Sequence, residues 1–147
     1  MLLMKVLFLC TANSCRSQMA EGLLRHRSQG NIAVASAGTE PRTIHPDAIW
    51  CMAEIGIDIS AQRAKSLDLF LGEHIDYVIT VCDRAKDSCP VFPGAAEHLH
   101  WSIPDPALAQ GAEEERRQVF RQVREELKVR IEELLRTILD QLLERIA

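Results

Sequence analysis

The chain has 147 residues, with 17 basic and 21 acidic side chains and a formal net charge of −4. That length suits one domain spanning residues 1–147 around a single core, with no room for two. A hydrophobic fraction of 47% with 26% charged residues excludes wholesale disorder, and the mild acidity gives no whole-protein attraction for nucleic acid or an anionic membrane.

Residues 4–9 (MKVLFL) are a short apolar run of strand formers, the pattern of a buried parallel strand. Lys5 interrupts the apolar start and no cleavage pattern follows, which argues against a signal peptide or a membrane span and for the reducing cytoplasm. Residues 17–28 read as a helix with Met19, Leu23 and Leu24 on one stripe and Gly30 as C-cap. A strand is expected over 32–38, ending at Gly38. Pro46 opens a second helix over 46–56 that stops at Gly56. Ser66 can cap a short helix over 67–71. IDYVITVC (75–82) is a third strand, and 97–101 is a fourth with a fainter pattern. From Glu113 to about residue 146, Phe120, Val123, Leu127, Ile131, Leu134, Ile138, Leu142 and Ile146 recur at helical spacing. The order implies an α/β fold: a small, doubly wound, four-stranded parallel sheet flanked by helices, with an extended C-terminal helix. Ligands in such sheets bind beyond the carboxyl ends of the strands, here residues 10–17 and 82–90.

Five cysteines are present: Cys10, Cys15, Cys51, Cys82 and Cys89. An odd number cannot form a fully paired framework, and in a reducing compartment thiols serve catalysis, redox or metals more often than structure. Zinc is disfavoured, because no C-x2-C pair exists and His45, His74, His98 and His100 do not cluster with cysteines at ligand spacing. Cys10-Thr-Ala-Asn-Ser-Cys-Arg16-Ser17 leaves the first strand and enters the first helix. A loop of that kind turns amides inward as a nest for an oxyanion, the helix N-terminus adds positive potential, and Arg16 offers a planar fork. A depressed Cys10 pKa is expected from that field. Ser17 is placed to donate to Cys10 or to cap the helix.

C-x5-R-S resembles the phosphate-binding loop of the low-molecular-weight protein tyrosine phosphatases. CTANSCRSQMAEG (10–22), SAGTE (36–40), EIGIDIS (54–60), VITVCDRAKDSCP (78–90) and HWSIPDPALAQG (100–111) together resemble the thioredoxin-coupled arsenate reductases of that fold, over roughly residues 4–130. The resemblance implies an oxyanion loop of Thr11, Ala12, Asn13, Ser14, Cys15 and Arg16, with Cys10 as nucleophile and Asp105 as general acid. It also implies a relay. Cys82 displaces arsenite to give a transient Cys10–Cys82 disulfide, then Cys89 shifts it to Cys82–Cys89 for reduction by thioredoxin, with no bound cofactor. The alternatives are a low-molecular-weight phosphatase and a non-catalytic thiol sensor of arsenite or another soft metal. Ala107 and Leu108 stand where the phosphatases place tyrosines, and a sensor needs neither Arg16 nor Asp105.

The chain departs from that pattern in places. Ala12 stands where the reductases commonly carry glycine, which would add strain if position 12 needed φ > 0. Some of these reductases hold potassium with an Asn, a Glu, a Ser and an Asp. Asn13, Glu21 and Ser36 match, but Lys65 occupies the fourth position, so its ammonium is expected to replace the cation. Cys15 and Cys51 receive no role. The helical pattern runs past where the family usually stops. Its added stripe (Leu134, Leu135, Ile138, Leu139, Leu142, Leu143, Ile146) either packs along the domain or forms a homodimer.

Overall fold

The computed structural model describes residues 4–83, 92 and 94–146. Four strands form one parallel sheet in the order β2-β1-β3-β4: β1 (Lys5–Cys10), β2 (Ala33–Gly38), β3 (Ile75–Thr80) and β4 (Ala95–His100). β1 is central and almost wholly buried, which accounts for an apolar run instead of an alternating one. β4 is an edge strand with exposed, polar side chains, so its pattern is faint in the sequence.

Three helices, α1 (Arg16–Arg27), α2 (Pro46–Ala53) and α3 (Glu113–Ile146), pack into one core with Val6, Phe8, Tyr77 and Ile79. Leu7, Leu9, Ala37, Ile75, Val78 and Phe92 form a second cluster, joined by Leu67 and Phe70 of the 3₁₀ turn Leu67–Phe70. Residues alternate between these clusters along β1, as strand geometry requires. β2 and β3 lie on opposite sides of β1, so a right-handed return from β2 must cross the face opposite α1. The 3₁₀ turn makes that crossing, whereas α2 stays with α1 and α3. Ser66 Oγ accepts from Asp68 N at 3.2 Å and caps the turn.

α2 ends at Ala53, three residues short of Gly56. Gly56 (φ +78°) donates its N–H to Ala53 O, and Ile57 N returns to Met52 O, so the last turn tightens before the glycine. At the end of α1, both Gln29 and Gly30 take positive φ, and Gly30 N donates to Arg25 O. On α3, Phe120, Val123, Leu127, Ile131, Leu134 and Ile138 are buried, whereas Leu139, Leu142, Leu143 and Ile146 are exposed. The added stripe therefore divides, its first part seated on the core and its last part facing outward. Among the described residues no helix is long and apolar enough to cross a membrane.

Candidate active site

The carboxyl end of β1 runs straight into the loop 10–15 and then α1. Residues 39–45 lie along the outside of that loop and take up its carbonyls. Thr39 N donates to Cys10 O, Glu40 N to Thr11 O, Arg42 N to Ala12 O and His45 N to Ser14 O. In trans peptides a carbonyl bound outward leaves the following N–H directed inward, which forms the expected oxyanion nest. Gly38 permits this packing. A Cβ there would lie 2.5 Å from Thr11 O and 3.0 Å from Asn13 N, so any side chain would push the loop off β2.

Asn13, not Ala12, carries the left-handed backbone of the loop (φ +51°). Position 12 therefore needs no glycine, and the strain expected for Ala12 is absent. Asn13 is fully buried and uses all of its side chain. Nδ2 donates to Ser17 Oγ at 2.8 Å and to Ser36 Oγ at 2.9 Å, while Oδ1 accepts from Lys65 N at 2.8 Å. Ser36 Oγ in turn donates a hydrogen bond to Glu21 Oε1 at 2.7 Å. Ser17 Oγ, which accepts from Asn13, also lies 2.8 Å from Cys10 Sγ. Ser17 thus serves the thiol and not the helix, whose N-cap Cys15 makes no side-chain capping bond. Asn13 N adds a 3.0 Å hydrogen bond to the same sulfur.

The expected depression of the Cys10 pKa is not found in this state. Burial pushes the Cys10 thiol up, and this outweighs the Ser17 hydroxyl and the Ser17 and Asn13 amides that pull it down. Arg16 is engaged elsewhere: it donates to Ile103 O at 3.0 Å, and its other nitrogen lies 3.6 Å from Asp105 Oδ2. Burial also pushes Cys15 up to about 12, so it is protonated at neutral pH.

Cys10, Thr11, Ala12, Ser14, Cys15, Arg16, Cys82 and Asp105 line one cleft of about 520 Å³. Cys82 is buried, with Sγ 3.4 Å from Thr11 Oγ1. Asp105 Oδ1 accepts from Ala107 N at 3.0 Å, which holds the carboxylate at the cleft edge. Cys89 lies outside the described residues. Glu21, Ser36 and Asn13 come together as expected, with Lys65 Nζ 3.7 Å from Glu21 Oε1. That ammonium stands where a cation would need an acidic ligand, so the residues do not fit a potassium site. Among the described residues no cluster of His, Cys, Asp or Glu is arranged to hold a metal ion. Cys51 is a buried core thiol whose carbonyl accepts from Arg124.

Several site residues carried no signal in the sequence. Glu40, Arg42 and Ser102 line the cleft from separate segments. Gln18 is fully buried, and its Nε2 reaches Asn13 O, Asn13 Oδ1 and Arg63 O within 3.0 Å, buckling the loop to residues 63–65.

Residues 5–144 match the model of the low molecular weight phosphotyrosine protein phosphatase family. This chain belongs to that family. An arsenate reductase from Halalkalibacterium halodurans is 46% identical over 132 residues, spanning 90% of this chain and 95% of its own length. A solved arsenate reductase in the phosphate-binding state has a TM-score of 0.80 at 38% identity, covering 92% of this chain and 99% of the other. The thioredoxin-dependent arsenate reductase of Corynebacterium glutamicum has a TM-score of 0.73 at 33% identity, covering 95% of this chain and 63% of the other. Within the family the chain stands with the members named arsenate reductase.

Proposed function

We propose that this chain reduces arsenate to arsenite in the cytoplasm, with electrons from thioredoxin. The observation that carries the reading is a cysteine from outside the loop in the oxyanion cleft: Cys82 shares it with Cys10 and meets Thr11. A phosphatase has no use for that thiol, and the arsenate reductase relatives give the reading its substrate.

Arsenate enters the nest, and Arg16 turns from Ile103 O and Asp105 to grip two of its oxygens. Cys10 thiolate attacks arsenic, an S–As bond forms, and Asp105 protonates the oxygen that leaves as water. Cys82 thiolate then attacks Cys10 sulfur. An S–S bond forms, the S–As bond breaks, and its electron pair leaves with arsenic as arsenite. Two thiols have been oxidised and arsenic reduced by two electrons. Cys89 next attacks Cys82, which releases Cys10 thiolate and leaves a Cys82–Cys89 disulfide for the thioredoxin dithiol. No step calls for a bound redox cofactor, and a compartment that keeps thioredoxin reduced is required. Lys65 neutralises Glu21 beside the loop. The exposed end of α3 pairs with a second copy.

The second reading, hydrolysis of an aryl phosphate, is favoured by the same loop and by Asp105, but no aromatic side chain is among the described cleft residues and Tyr77 is bound to Gln141. The soft-metal sensor gives no purpose to the Arg16–Asp105 pair. The deciding experiment is NADPH oxidation with arsenate, thioredoxin and thioredoxin reductase, run beside glutaredoxin plus glutathione and an aryl phosphate. Arsenate-dependent oxidation through thioredoxin is expected. Phosphate release without arsenate-dependent oxidation in either system would replace this reading with the second.

A further inference from the structure

The chain directly after Cys82 is held by a row of hydrogen bonds that no step above uses. Thr80 Oγ1 lies 2.6 Å from His100 Nδ1, and His100 Nε2 lies 2.7 Å from Asp83 Oδ1. Ser102 Oγ donates to the other carboxylate oxygen of Asp83 at 3.4 Å. The row follows from register, since Thr80 and His100 are direct partners at the ends of β3 and β4. Trp101 N closes the same end by donating to Thr80 O at 2.8 Å. The imidazole is 21% exposed and the Asp83 side chain 73% exposed. A polar contact that open to water adds little to stability, so this one is better suited to fixing direction.

Cys82 is thus anchored from both sides. Before it, Val81 N donates to Leu9 O at 2.8 Å, tying it to β1. After it, Asp83 is tied through His100 to β4. We infer that His100 is a positioning residue for the second thiol: by gripping Asp83 it keeps Cys82 Sγ beside Thr11 and aimed at Cys10. The inference rests on the relay proposed above. Displacement at sulfur requires approach in line with the S–As bond, and a misplacement of about 1 Å costs on the order of 10²-fold in rate. His100 acts through Asp83 and takes no part in binding the oxyanion, so its loss changes the rate of the Cys82 step and not the capture of arsenate.

The test uses the Cys89→Ser chain in single turnover, where the relay stops after one arsenite. His100→Ala in that background should slow arsenite release about tenfold, with half-saturating arsenate unchanged. His100→Gln, whose side-chain amide can still donate to Asp83, should recover most of that loss. Asp83→Ala removes a carboxylate that lies outside the core, so it leaves the core intact and should reproduce the slowing. The His100→Ala, Asp83→Ala pair should be no slower than either alone, as expected for two groups acting as one device. Release within about twofold of the parent for both single variants would overturn the inference. So would a loss expressed in arsenate affinity. If the Cys89→Ser parent itself releases no arsenite, the relay has failed and the inference goes with it.

Discussion

Ser17 shows how one hydroxyl acts on the thiol proposed as the nucleophile. It accepts from Asn13 and is within hydrogen-bond reach of Cys10 Sγ, and that bond works against the burial that raises the thiol. The sign of its removal follows. Without it burial is less opposed, the Cys10 pKa climbs further, and less thiolate exists at any given neutral pH. Ser17→Ala should therefore lower kcat/KM for arsenate at pH 7 by about tenfold, the worth of a hydrogen bond to a charged group. The alkylation rate of Cys10 plotted against pH should shift to higher pH, and an unshifted profile would contradict this role. Lys65 carries a second prediction. Its ammonium lies beside Glu21 and is pulled down by burial while Glu21 holds it up. Replacing a large organic cation with potassium at fixed ionic strength should leave catalytic efficiency nearly unchanged, and a several-fold rise would show that a cation still binds. The residues of C-x5-R-S were legible because their spacing encodes a strand–loop–helix junction. The balance of forces on Cys10 was not, since it depends on burial by residues far along the chain.

Element boundaries divide along similar lines. β1, β3 and most of α3 announce themselves through long apolar runs or sustained helical period, which only burial on a sheet or core explains. β4 and the end of α2 do not, because an exposed edge strand has little pattern and a tightening last turn precedes its glycine. The width of the α3 stripe was visible, but not its division. Leu134 and Ile138 are core residues, so only Leu139, Leu142, Leu143 and Ile146 remain for a partner. Leu139→Glu with Leu143→Glu should leave the fold unchanged by circular dichroism and convert a dimer to a monomer in light scattering. A wild-type mass equal to one chain would remove self-association.

At the scale of the molecule, the site is assembled by topology. Parallel strands bring the carboxyl ends of β1 and β3 side by side, so Cys10 and Cys82, 72 residues apart in the chain, line one cleft. The segment before α2 then seals the outside of the loop, and the stretch after β4 brings Ile103 and Asp105 to Arg16. The sheet and its ligand end were predictable from strand order alone. The engagement of Arg16 with Asp105, and the cleft walls from residues 40, 42 and 102, required the folded chain. The proposed function rests on the order in which the thiols act. The most direct measurement is product per chain for Cys89→Ser, with arsenate, thioredoxin, thioredoxin reductase and NADPH all in excess. The relay predicts about one arsenite released per chain, followed by a stall with Cys10 and Cys82 joined, visible as a mass loss of two hydrogens and a crosslinked peptide. Sustained turnover of that variant with thioredoxin would contradict it.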